Sequence, residues 1–375
     1  MTTHFDIAII GAGIAGASLA WALGRRAPAL KVALIEMEDR PGYHTTGRSA
    51  AFWVESYGGP GVVPLSRASR AFFTAPPAGF GPLLSPRPGL FLDPPDQPGA
   101  IDTVAAEFTQ SGVEWHWQDA GQLAASPAGP MLRPEWRNRG ILEPNSYDID
   151  VAALHQGYLR GATLITGAQV TALARTSGTW RITTRAGTFT AATVVNAAGA
   201  WADQLAALAG AAPRGLMPLR RTMAVLRLDP PPPADLPVVM DAAGRFYFKP
   251  DSGRLWLSPH DEIPDVPHDV RPDEIDIATV IDRFETVSTS RVMRLESSWA
   301  GLRTFAPDRL PVLGRDGAVD GMFWCAGQGG FGIQTAPAIS ELCAAMLLGD
   351  APEVEAAPYL ATRSEWSKPD AWLPS

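Results

Sequence analysis

Short apolar runs that stop at glycine or charge alternate with stretches of helical composition at both ends of the chain. Phe5 to Ile10 is such a run and ends at Gly11, the pattern of a buried parallel strand. Ile14 to Leu23 has the composition of a helix, and Gly24, Arg25 and Arg26 suit its end. Lys31 to Glu36 reads as a second buried strand. The three predict one βαβ unit of about 30 residues. Farther along, Gln169 to Arg175, Trp180 to Thr184 and Thr188 to Ala191 read as short strands separated by Ser-Gly and Ala-Gly turn signals. They predict an antiparallel meander. Thr193 to Ala197 returns as a buried strand, and Trp201 to Leu208 begins a helix. The last apolar unit is a strand at Phe323 to Ala326, a Gly-rich turn, and a helix from about Pro337 to Leu348.

Two stretches break this rhythm. Ser85 to Tyr147 is rich in Pro, Trp and acids; Met217 to Trp299 holds strands such as Thr222 to Leu228 and Arg245 to Phe248, with a helix at Pro272 to Phe284. Pro230 to Pro233 reads as a loop between strands. The expected fold is mixed α/β: a Rossmann-like dinucleotide domain with a β-meander, and a discontinuous second domain on an antiparallel sheet. The first takes residues 1–84, 145–215 and 300–375, and the second 85–144 and 216–299. Ser364 to Ser375 lacks periodicity and reads as a tail packed on the surface.

Composition narrows the function. The 375 residues suit two packed domains. A net charge of −8 argues against nucleic acid or an anionic membrane as a partner. Only Cys325 and Cys343 occur, not as a C-x-x-C pair, so a disulfide framework or structural zinc is not expected. No run of 18 apolar residues and no basic leader at the N-terminus is present, so a cytoplasmic location without a transmembrane segment is expected. The six histidines show no metal-binding spacing.

Gly11-Ala12-Gly13-Ile14-Ala15-Gly16 is a G-x-G-x-x-G between predicted strand and helix. Its glycines permit a tight turn, backbone approach to a pyrophosphate and close helix–strand packing, while helix N–H groups face the phosphates. Glu36 closes the next strand 25 positions after Gly11, near the spacing for a carboxylate that holds ribose hydroxyls. The fingerprint alone does not separate NAD from FAD.

Pro41-Gly42-Tyr43-His44-Thr45-Thr46-Gly47-Arg48-Ser49-Ala50-Ala51 resembles the second flavin-contact segment of the D-amino-acid oxidase family. Leu84 to Pro88, Asn196 to Trp201, Trp299 to Arg303 and Gly327 to Thr335 resemble further family blocks in the family's order, so the likeness covers nearly the whole chain. Within the family the blocks are most similar to the bacterial D-arginine dehydrogenases. The resemblance implies non-covalent FAD. Its ADP half would meet Gly11, Gly13, Ile14, Ala15, Gly16, Glu36 and Val170. Gly47, Arg48, Ser49 and Ala50 would lie along its ring and the turn with Gly329, Gly330 and Gly332 would face the pyrimidine part, with Thr46, Ala198, Gly199, Trp201, Gly301, Phe331, Ile333, Gln334 and Thr335 as further cofactor residues. The cysteine that anchors FAD covalently in sarcosine-type relatives has no counterpart near Leu302 to Thr304.

By the same resemblance Arg303 pairs with a substrate carboxylate, which suits a guanidinium's two parallel donors. The alternative is a structural ion pair to an acid such as Asp308. Arg221 matches a second substrate position, although strand register alone leaves Arg220 or Arg221 facing inward. Tyr247 and Tyr57 match tyrosines that bond the substrate, or serve as core aromatics. Gly330 lies in the turn beside the ring. Gly89 and Phe52 stand where the D-arginine dehydrogenases carry an acid and a histidine, which implies an apolar, roomier pocket. Trp256 falls near the lysine that assists oxygen in sarcosine oxidases. The implied function is FAD-dependent oxidative deamination of neutral or hydrophobic D-amino acids, with oxygen or a quinone as electron acceptor. Glycine, sarcosine or 2-hydroxy acid oxidation on the same fold, and a non-catalytic flavin subunit, stay open.

Overall fold

The computed structural model describes residues 3–364. One large sheet is built on five parallel strands in the spatial order Thr163–Ile165, Val32–Ile35, Thr3–Ile10, Gly187–Asn196 and Met322–Ala326. Period-two alternation of the first strand feeds two cores. Ile7 and Ile9 pack with the helices Ile14–Arg26 and Gly332–Leu348; Ala8 and Ile10 pack with Trp180, Trp324 and Leu205 on the other side. Both faces are covered, which is why the strand reads as a continuous apolar run.

Several elements differ from their expected bounds. The third meander strand and the following buried strand are one, Gly187–Asn196. Its first half pairs antiparallel with Thr179–Thr184, and the strand pairs in parallel with Thr3–Ile10. Ala192, exposed, and Thr193, half-buried, do not interrupt it, because the strand is paired on both edges around them. Both Ser-Gly turns of the chain have left-handed residues at Ser177 and Gly178, and at Ser252 and Gly253, as two-residue hairpins require. The C-terminal helix starts at Gly332, five positions before Pro337, and takes the proline inside its second turn. Reading Pro337 as a first helical residue missed this, since a proline so near the N-terminus removes only one interior hydrogen bond. The expected tail from Ser364 onward lies, Ser364 apart, outside the described residues.

The second large sheet has nine strands. Its longest pair is Met217–Asp229 against Arg291–Phe305, antiparallel, with Arg221 opposite Gly301 and Leu219 opposite Arg303. Residues directly opposite share a face, and so do residues two apart. Arg221 and Arg303 therefore project from the same face, and Gly301 on that face lets the 45–48 segment lie against the strand. The sheet is not wholly antiparallel: Val238–Asp241 runs parallel to Gly89–Leu92, which arrives from a distant chain segment. Among the described residues no helix is long and apolar enough to cross a membrane.

Glu143, at the end of the strand Arg139–Glu143, ties this sheet to the loop that carries Tyr57. The Ser56 N–H donates to one carboxyl oxygen at 3.3 Å and the Ser56 hydroxyl to the other at 2.6 Å. Burial pushes the Glu143 carboxyl up to about 7, against the lowering effect of the Ser56 bonds. A carboxyl raised in the folded state stabilises the fold below its unfolded value, and that contribution is lost as pH rises through the folded value. Between about pH 4.5 and pH 7 wild type should lose on the order of 3 kcal/mol more stability than Glu143→Gln. Denaturant melts across that range check the difference; parallel curves for the two proteins would contradict it.

Candidate active site

Close contacts fix the phosphate end. Gly11 has φ +107°, and a Cβ there would lie 2.4 Å from the Ala197 carbonyl oxygen; one on Gly16 would lie 1.9 Å from the Gly11 carbonyl oxygen. Only glycine lets strand, turn and helix approach this closely. The helix Ile14–Arg26 begins with no side-chain cap and no acid in its first turn, and the same holds for Gly332–Leu348. Three other helices are capped by Asp119, Asp150 and Asp273, whereas Val63–Thr74, Ala100–Ser111 and Ala202–Leu208 also lack a side-chain cap. The N-termini of Ile14–Arg26 and Gly332–Leu348 are left positive, and both open on one cavity. The Glu36 carboxylate accepts from the Ala12 N–H at 2.8 Å and the Glu38 N–H at 3.0 Å, which fixes it beside the turn.

The cavity holds about 480 Å³ and runs from Gly11, Glu36 and Val170 past Thr46, Arg48, Ser49 and Ala50 to Arg221 and Arg303. Gly13, Ile14, Ala15, Ala198, Gly199, Trp201, Gly301, Gly329, Gly330, Gly332, Ile333 and Gln334 line it between. Four residues expected at the cofactor stand behind the wall. Gly16 faces the Gly11 carbonyl; the Gly47 N–H donates to the Gly42 carbonyl at 2.8 Å. Phe331 packs with Tyr57 and Phe305, and the Thr335 hydroxyl donates to the Phe331 carbonyl. They shape the turns and do not face the space. The Arg48 guanidinium binds the Val270 and Ala300 carbonyls and Asp269, so it clamps the 46–50 segment from outside.

At the far end Arg221 and Arg303 are both buried on the cavity wall. The register question resolves to Arg221, since Arg220 turns away to Asp276 at 2.7 Å. Arg221 Nε donates to the Asp261 carbonyl at 2.8 Å, and the Asp261 carboxylate takes the Thr222 N–H and hydroxyl. Arg303 Nη1 donates to the Tyr57 hydroxyl at 2.8 Å and Nη2 to Glu262 Oε1 at 2.8 Å. Asp308, offered above as its structural partner, instead pairs with Arg363 at 2.6 Å. A Cβ on Gly330 would fall 2.2 Å from the Tyr57 hydroxyl oxygen and 2.6 Å from Arg303 Nη1, so the glycine keeps that corner open. Tyr247 lines the cavity and donates to Met223 Sδ at 3.2 Å; Phe52 packs between Tyr247 and Tyr57.

Electrostatics follow from burial. Burial and repulsion from Arg303 lower the Arg221 guanidinium, whereas Tyr57 and Glu262 outweigh burial at Arg303 and raise it. Burial works to raise Glu262, but Arg303, Arg309 and Arg221 hold it down to about 2. Burial, then Arg221 and Arg303, depress the His260 imidazole well below its ordinary value. It is neutral, and its Nδ1 at 2.9 Å from the Gly244 carbonyl must donate, so Nε2 is an acceptor. Sequence reading missed Glu262 and His260; both sit in a short connection without periodicity. The left-handed φ of +56° at His260 was not legible either.

The cavity wall also includes Phe91, Val104, Phe108, Met240 and Phe246, together with the acidic residues Glu107 and Asp241, of which Asp241 pairs with Arg245. Gly89 does not reach the cavity. A Cβ at Gly89 would meet the Met240 methyl at 3.2 Å, so Met240 closes that side. Trp256 is also off the wall and packs edge-on against Trp299 at 5.0 Å.

A dinucleotide turn and two buried arginines on one cavity define a dinucleotide-binding protein with a second, cationic end to its site. The DAO family, described as FAD dependent oxidoreductase, matches residues 6–346. The chain belongs to that family, and FAD is its cofactor. A glycine oxidase of Geobacillus kaustophilus is 26% identical over 97% of this chain and 98% of its own. A hydrogen cyanide synthase subunit of Pseudomonas aeruginosa is 26% identical over 97% of each. In structure, the Geobacillus glycine oxidase superposes with a TM-score of 0.83 at 24% identity, covering 97% of this chain and 100% of that one. The L-proline dehydrogenase from P. horikoshii superposes with a TM-score of 0.81 at 20% identity, covering 96% and 98%. These superpositions are likenesses of fold.

The residues fit FAD. The glycine turn has no room for side chains, the helix donors above it lack caps, and a buried carboxylate stands where ribose hydroxyls would bond. Glu36→Ala removes the acceptor of the Ala12 N–H as well as that carboxylate. FAD affinity should fall by about tenfold, the worth of one lost hydrogen bond to a charged group. Flavin retained after dilution and gel filtration measures it; full retention would refute the assignment.

Proposed function

We propose that the chain oxidises the Cα–N bond of neutral or hydrophobic D-amino acids to 2-oxo acids and ammonia. The observation that carries this reading is the pair of buried guanidiniums, Arg221 and Arg303, on a cavity wall shared with the flavin segments and with apolar side chains. A buried arginine is expensive unless an anion pairs with it, and a carboxylate matches its two-pronged donor set. Tyr57 and Tyr247 extend the polar rim with hydroxyls. Phe52, Phe91, Val104, Phe108 and Met240 offer an apolar side chain a surface of its own kind.

The bound flavin supplies a two-electron acceptor for the hydride that leaves Cα. The chain's own residues position and exclude. Arg303 and Arg221 hold the carboxylate, and the aromatic wall keeps water from the Cα–H. As the Cα–H departs with its electron pair, the nitrogen lone pair forms the imine; water then converts it to 2-oxo acid and ammonia. Positioning of this kind lowers the barrier without a strong base. The D configuration rests on the motif resemblance, and we take oxygen or a quinone as the reoxidant. The division into cofactor and substrate domains given above is retained as part of this reading.

Glycine or sarcosine oxidation is the second reading, favoured by the full-length similarity to glycine oxidase. The apolar wall residues are more than glycine needs, which weighs toward larger side chains. Anaerobic bleaching of the flavin decides: D-leucine, D-methionine or D-phenylalanine should reduce it faster than glycine, sarcosine, D-arginine, the L-isomers or 2-hydroxy acids. Faster reduction by glycine would move the enzyme to the second reading. Arg303→Lys should lower kcat/KM by between about tenfold and about a hundredfold through loss of a charge-assisted bond. Unchanged kcat/KM would remove Arg303 from the substrate site.

A further inference from the structure

Glu262 precedes Ile263–Pro264, a two-residue strand at the margin of the nine-stranded sheet. One carboxylate oxygen, Oε1, serves three cations: Arg303 Nη2 at 2.8 Å, Arg309 Nη2 at 2.9 Å and Arg221 Nη2 at 3.5 Å. Arg303 Nε and Arg221 Nη2 are buried donors without a hydrogen-bond acceptor. A guanidinium can grip a carboxylate with two parallel N–H groups along the Nε/Nη2 edge or the Nη1/Nη2 edge. Both edges include Nη2, the nitrogen of Arg303 that Glu262 already holds. Each Nη carries two N–H groups, so Glu262 takes one hydrogen of Arg303 Nη2 and leaves the other; but its Oε1 lies between Arg303 Nη2 and Arg221 Nη2, and a substrate carboxylate that bridges the two arginines contends with it there.

We propose that Glu262 is a resident competitor for the substrate-carboxylate seat, displaced from Arg303 when substrate binds. The inference rests on the carboxylate-binding role assigned to Arg303 above. Three guanidiniums face two carboxylates, Asp261 and Glu262, so the cluster keeps one positive charge, the complement of one monocarboxylate. Asp261 is fixed by the Thr222 N–H and hydroxyl and cannot leave without orphaning them. Glu262 can move because its partner Arg309 is half-exposed and follows it outward while keeping the pair. Its role is to keep the two buried arginines compensated between turnovers and to set how tightly a carboxylate must bind to replace it.

Benzoate, a monocarboxylate without an amine, is the probe, titrated into the holoenzyme and read by the flavin absorbance change. Glu262→Gln should bind benzoate at least about tenfold more tightly than wild type, because a charge-assisted bond no longer competes. KM should fall with it, while affinity for benzylamine, which has no carboxylate, should not change. Arg309→Ala, at a half-exposed side chain that lies over the Phe305 ring, should weaken benzoate by about threefold by removing the outward partner, with a melting curve as the check that the fold is kept. Benzoate binding equal to or weaker than wild type in Glu262→Gln overturns the proposal. Arg303→Gln separates the two levels. Loss of benzoate there with no gain in Glu262→Gln rejects only the competitor role. Benzoate binding unaffected by Arg303→Gln rejects the carboxylate seat, and the competitor role with it.

Discussion

The contact on which the site depends is between two backbones. The Gly16 α-carbon rides so close to the Gly11 carbonyl that a methyl group there would overlap it, and Gly11 in turn abuts the Ala197 carbonyl. This approach sets the angle at which the helix Ile14–Arg26 leaves the sheet, and hence where its first N–H groups point, that of Ile14 toward the Thr46 hydroxyl. The helix packs on Gly332–Leu348, so the second Gly-rich turn inherits its position from the first. Two positive helix ends then share one cavity, and the sequence leaves both without an acid or a cap that would quench them. His155 reinforces the arrangement with a 2.9 Å contact between its ring and the Ala12 carbonyl.

The other end of the cavity is governed by charge compensation. Two guanidiniums buried on one sheet face repel each other, and low polarity makes that repulsion costly. The fold answers with Asp261 and Glu262 from one short connection, one anchored to the backbone at Thr222 and the other shared among three arginines. The same register that brings Arg221 and Arg303 together places Gly301 on their face, against the 45–48 segment. A site built in this way is electrically poised for an anion and sterically open to one.

Much of this was legible in the chain. The first βαβ unit and the meander turns follow from period and glycine placement, whereas the choice between Arg220 and Arg221 needed the strand pairing itself. The limits have physical causes. Pro337 was read as a helix start because proline favours that place, yet the preceding glycines and Phe331 were already turning into the helix. Glu262 and His260 escaped notice because ion pairs formed across a sheet leave no local period. Asp308 was the plausible partner of Arg303 by sequence proximity, but strands send neighbours apart, and Arg363 from the C-terminal segment claims it. Gly89 was taken to enlarge the pocket, whereas the methionine opposite fills the gap.

The order of strands in the first sheet has a consequence for biosynthesis. Its central strand Gly187–Asn196 receives its last parallel neighbour, Met322–Ala326, only after the chain has completed the intervening second sheet. The wall of the cavity is likewise assembled from residues as far apart as Gly11 and Gln334. Contacts of such long sequence separation form late and slowly. A nascent chain emerging from the ribosome therefore has the nucleotide turn long before it has a place to keep a flavin. The complete wall of the cofactor cavity exists only once the chain has been made beyond Gln334.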